Sequence, residues 1–155
     1  MEGKRSLITI LSVATVILSI ANVITCMVLN FFDLKMGGPT TIRSVIVTFS
    51  YIAIWIFVLI VGIIIKNRGI VRYCSALWII TLFIATLTVY INATGNSATW
   101  ALPLVVLFLG PLCGIGFFVS SVLYQSIIIT IMSLVMLIIT VILAKRKLNL
   151  NIRPH

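Results

Sequence analysis

Between Leu7 and Phe32 the chain carries no charged side chain. The same holds from Ser44 to Ile65, from Tyr73 to Ile91 and from Leu102 to Ala144. About 20 helical residues cross a hydrocarbon core of about 30 Å, so each stretch is long enough to span or fill a bilayer. In lipid every backbone amide and carbonyl must be satisfied within the protein, which leaves helices as the element these runs can form. Composition excludes the soluble alternative. Hydrophobic residues make up 62% and charged residues 8% of the chain, with a mean hydropathy of +1.32. Soluble domains are about 45–50% apolar and about 25% charged. The expected fold is an all-α integral membrane protein in a single domain.

Charge orders the runs. Eleven basic residues stand against two acidic ones, and they cluster at the ends of the apolar stretches. That placement points to topology and anionic headgroups, not to nucleic acid. With four crossings over approximately 7–31, 44–65, 73–91 and 122–144, one side collects Lys4, Arg5, Lys66, Arg68, Arg72, Lys145, Arg146, Lys147 and Arg153. Lys35 and Arg43 fall on the other. A fifth crossing would divide the same residues five against six. The positive-inside bias selects the even count, with both termini cytoplasmic in a cell membrane.

The last stretch is then too long. A straight helix over its ~43 residues would reach ~64 Å, about twice the hydrocarbon thickness. Pro103 can begin a helix, whereas Pro111 would break one, and Gly110, Gly114 and Gly116 loosen the same region. The expected architecture is therefore a four-helix transmembrane bundle. Residues 102–119 form an extra re-entrant or interfacial segment on the outer side.

Small and polar residues mark the expected packing faces. Ser12, Thr15, Ser19, Asn22 and Cys26 recur at helical spacing in the first run, with Asn30 one turn on. Thr81, Ala85, Thr88 and Asn92 do so in the third, and Ser126, Thr130, Ser133 and Thr140 in the last. Such residues permit close approach and bonding across helices. The second run shows no clean stripe and is expected to be peripheral or to meet a partner. Candidate interaction or packing residues are Ser19, Asn22, Gly110, Pro111, Gly114, Gly116 and Gln125.

Chemistry is sparse. Glu2 and Asp33 are the only carboxylates and fall on opposite sides, so they form no acid/base pair. Ser120 and Ser121 have no nearby histidine, since the single one is His155. Cys26, Cys74 and Cys113 have no zinc-ligand or redox-motif spacing. No catalytic, cofactor or metal site is expected. No span holds an ionisable group of the kind that proton relays and ion-coupled carriers use. The expected function is non-enzymatic interaction with another membrane component, as an accessory, regulatory or immunity-type subunit, or self-association. A small oligomeric transporter or channel is the alternative.

Overall fold

The computed structural model describes residues 2–36, 40–65, 67–95, 99–119 and 121–150. All its elements are helical. Helix α1 is Glu2–Met36, α2 is Ile42–Ile64 and α3 is Arg68–Thr94. A 3-10 turn at Thr99–Ala101 leads into α4, Leu102–Leu109, and a 3-10 helix at Gly110–Phe117. Helix α5, Val122–Leu150, follows. Among the described residues, five segments are long and apolar enough to cross a membrane: Ser6–Phe31, Ile42–Ile64, Arg68–Thr94, Thr99–Phe117 and Val122–Lys145. That is one more than the four crossings expected, and the additional one, Thr99–Phe117, is the composite segment.

Helix boundaries follow local chemistry. Asn67 has an extended backbone, and its side chain accepts a hydrogen bond from Gly69 N, so it caps α3. The basic residues Arg68 and Arg72 therefore sit in the first turns of α3. The helix thus starts ahead of the expected span of 73–91. Gly95, with φ of +67°, ends the helix in the left-handed conformation. Pro103 lies in the first turn of α4, where its missing N–H leaves no bond unmade.

Side-chain contacts set the helix directions. Asn67 lies beside Ser12 and Tyr73 beside Ser19, so α1 and α3 run the same way. Cys26 approaches the Val47 carbonyl, which puts the start of α2 beside the end of α1. Gln125, in the first turn of α5, reaches Cys113, whose neighbour Gly114 abuts Ser44 of α2. Helix α5 therefore starts at the end where α2 starts.

The core corrects the expectation for α2. Ser44, Val47, Thr48, Tyr51, Trp55, Val58, Leu59 and Gly62 form a continuous buried face on it. As much as 39% of its apolar span is buried, against 17% for α1, so α2 is central and not peripheral. Aliphatic residues fill most of both faces of α2, so the buried side does not stand out as a stripe of small residues. Trp55 packs edge-on against Tyr51 at 6.2 Å and Trp78 at 6.3 Å, and lies 5.9 Å from Tyr73. Between lipid-soluble surfaces there is little hydrophobic drive, so such packing is what holds the helices together. Each aromatic pair contributes about 0.5–1.5 kcal/mol beyond burial.

The small-residue faces of α1, α3 and α5 are buried at Thr15, Ser19, Cys26, Thr81, Ala85, Ser126, Ser133 and Thr140. Most of their hydroxyls turn back on their own helix. Thr15, Thr81, Ser126 and Thr140 each donate to a carbonyl three or four residues earlier. These residues matter chiefly as small volumes. Ser19 also donates across to the Tyr73 hydroxyl at 3.2 Å. The α3 face ends short of the expected Asn92, which is exposed and bonds to Thr88 of its own helix.

Candidate functional site

Pro111 offers no N–H, so the α-helical pattern of α4 cannot continue through it. The chain tightens into eight residues of 3-10 helix, Gly110–Phe117, where runs longer than three or four are uncommon. Neighbouring side chains hold it. Asn30 of α1 donates through Nδ2 to the Gly110 carbonyl at 2.9 Å. Thr48 of α2 donates to the Pro111 carbonyl at 2.9 Å and accepts from Gly114 N at 3.0 Å. Gln125 of α5 donates through Nε2 to the Cys113 carbonyl at 3.2 Å. Three helices thus each supply a polar side chain to one short stretch of backbone. The Thr48 hydroxyl sits across Pro111 and Gly114, where a side chain displaces regular helical pairing.

Glycine is required at the centre of this contact. A Cβ on Gly114 would collide with the Ser44 backbone carbonyl and press on Thr48 Oγ1. At Gly116 a Cβ would meet the end of the Gln125 side chain at 2.9 Å and the Thr40 methyl at 3.2 Å, both of which can give way. Gly110 through Gly114 are buried, whereas Phe117 and Phe118 are exposed and stack edge-on at 5.5 Å.

Five of the seven candidate residues, Gly110, Pro111, Gly114, Gly116 and Gln125, therefore converge. Ser19 and Asn22 do not join them. Ser19 lies about 16 Å from Asn30 along α1, since the helix rises about 1.5 Å per residue. Asn22 is 7% exposed, accepts from the Cys26 thiol at 3.3 Å, and has no partner for Nδ2 among the described residues. Sequence reasoning left out Ser44 and Thr48, whose signal was a pair of hydroxyls one turn apart at the start of an otherwise aliphatic helix. Asn30 had appeared only as the end of a stripe.

No protein family, curated protein or solved structure matches this chain.

Beside the anchor lies a groove of about 270 Å³ between α2, the 3-10 helix and α5, with walls from Phe49, Ile52, Ile115, Phe118, Ile128 and Met132. Its lining suits an apolar occupant. Cys26, Cys74 and Cys113 are buried, and none of them is in a disulfide. Of the residues weighed for nucleophilic chemistry, Ser120 and His155 lie outside the described residues.

Proposed function

We propose that this chain is a multi-pass protein of the cell membrane that acts without catalysis, by binding another membrane component as an accessory, regulatory or immunity-type subunit. It crosses four times, through α1, α2, α3 and α5, with both termini cytoplasmic. Thr99–Phe117 enters from the outer side and returns to it. The re-entrant course is supported by the partners of the 3-10 helix: Asn30, Ser44, Thr48 and Gln125 all belong to one end of the long helices. Irregular backbone at membrane depth is tolerated where protein covers it, and here it is covered. Parity then keeps nine basic residues inside and two outside.

The observation that carries the choice of function is the filled interior. Tyr51, Trp55 and Trp78 are each about 1% exposed and pack together between α2 and α3, so a path between these two helices within one copy would have to displace two tryptophans. Purified protein in liposomes is expected to show no ion or solute flux above protein-free vesicles, and affinity purification from native membranes to recover a stoichiometric membrane partner. Reproducible selective flux, abolished by substitutions in the chain, would favour the oligomeric transporter or channel instead.

A further inference from the structure

The three tryptophans and four tyrosines of the chain fall into two groups. Tyr51, Trp55 and Trp78 are buried and Tyr73 is half-buried, and these four pack together between α2 and α3. Tyr90, Trp100 and Tyr124 are instead 61%, 68% and 61% exposed. They stand on three different elements: the end of α3, the 3-10 turn after it and the first turn of α5. Helices α1 and α3 run the same way, and α2 and α5 start where α1 ends, so all three belong to one end of the molecule. Just beyond Tyr90 the exposed residues turn polar, with Asn92 and Thr94. The far ends of the same helices carry exposed Arg68 and Arg72 on α3 and exposed Lys145 on α5. At about 1.5 Å per residue, Arg68 and Arg72 lie about 33 and about 27 Å from Tyr90, and Lys145 about 32 Å from Tyr124. Two helices of opposite direction thus mark out the same interval, close to a hydrocarbon core of about 30 Å.

We infer that Tyr90, Trp100 and Tyr124 dock into the headgroup and glycerol layer of one leaflet and set the depth at which the bundle sits, while the basic ends of α3 and α5 reach the headgroups of the other. Hydrocarbon would strand an indole N–H and two phenol hydroxyls, and open water would strand the rings. The boundary layer serves both ends of each side chain, which is why tryptophan and tyrosine collect there. The inference rests on the chain crossing a bilayer. It does not depend on which end is outer, or on whether the chain is a subunit or a transporter.

The test is a depth measurement on the full-length protein in phosphatidylcholine vesicles. An environment-sensitive dye is attached to Tyr90→Cys, Trp100→Cys and Tyr124→Cys, and to Phe83→Cys and Ile131→Cys, which are exposed positions about 10 Å further in along α3 and α5. Quenching is compared between phosphatidylcholine carrying a nitroxide near the headgroup and near the acyl-chain end. Cys26, Cys74 and Cys113 are no more than 5% exposed, so wild type is expected to take up no dye and serves as the blank. The three rim positions should lie together at about 15 Å from the midplane, half the core thickness, and be quenched best by the shallow nitroxide. Phe83 and Ile131 should be quenched best by the deep one. Should wild type take up dye, Trp100 is read without a label. The fluorescence that wild type shows beyond Trp100→Phe should be quenched more by lipid brominated near the headgroup than near the chain end. Rim positions quenched as deeply as Phe83 and Ile131 overturn the inference, as do rim positions that no lipid quenches while Phe83 and Ile131 remain deep. Absence of quenching at all five positions would overturn the membrane crossing on which it rests.

Discussion

Thr48 is the residue on which the irregular backbone depends most. Its hydroxyl serves one donor and one acceptor of the 3-10 helix at once. Valine has nearly the same shape and neither function, so Thr48→Val should leave a buried amide and carbonyl without this partner and cost about 1–3 kcal/mol. Thr48→Ser keeps the hydroxyl and should recover most of the loss. Unfolding of the two variants in detergent checks the difference, and equal stability would mean the hydroxyl carries nothing. The glycines separate in the same way. Gly114→Ala drives a methyl into the Ser44 backbone, whereas Gly116→Ala meets the flexible end of Gln125. Overpacking a rigid site costs typically 1–3 kcal/mol, so Gly114→Ala should be the more damaging by at least ~1 kcal/mol in the same assay. At this scale the sequence was informative where covalent chemistry speaks directly. A proline and three glycines in an apolar run announced a break. The partners that hold the break, on three other helices, leave no mark that spacing alone can read.

At the scale of the element, period was a good guide to faces built from small residues and a poor one to a face built from large ones. The stripe on α1 appears buried as spaced, from Thr15 through Ser19 to Cys26. The stripe on α2 escaped because, in lipid, polarity no longer separates inside from outside. An aliphatic residue suits either environment, so only the positions of Tyr51, Trp55 and the flanking hydroxyls could have revealed the buried side. Close approach at Ser19 makes a direct comparison possible. Ser19 is fully buried and bonded to Tyr73, while its neighbour Ile20 is 49% exposed. Ser19→Leu should lower the melting temperature of the detergent-solubilised protein by several degrees, as an overpacked site of about 1–3 kcal/mol would. Ile20→Leu, on a face that meets lipid, should leave it nearly unchanged. Similar melting of the two variants would argue that α1 packs loosely enough to absorb the added volume.

For the whole molecule, two indicators disagree about one segment, and the disagreement can be tested. Length and hydropathy count Thr99–Phe117 as a fifth candidate span. Charge parity and the hydrogen bonds of its 3-10 helix favour entry and return on one side. Hydropathy has no way to tell these apart, because a re-entrant segment at membrane depth is as apolar as a crossing one. The two exposed aromatics at its ends make the distinction measurable. Trp100 is 68% and Phe118 67% exposed. Cysteines placed singly at these positions, in a background with Cys26, Cys74 and Cys113 replaced, should both react with a membrane-impermeant thiol reagent added outside intact cells. A cysteine at Gly69, exposed at the opposite end, should react only after the membrane is opened. If the segment crossed fully, Trp100 and Phe118 would label from opposite sides. Helix α5 would then run from the cytoplasm outward and carry Lys145, Arg146 and Lys147 to the outer face. That arrangement places a basic cluster where the membrane potential and the positive-inside bias both disfavour it. Labelling of both aromatics' positions from outside, with Gly69 protected, is the expected result. Opposite-sided labelling of the two would remove the four-crossing topology and the cytoplasmic C-terminus with it.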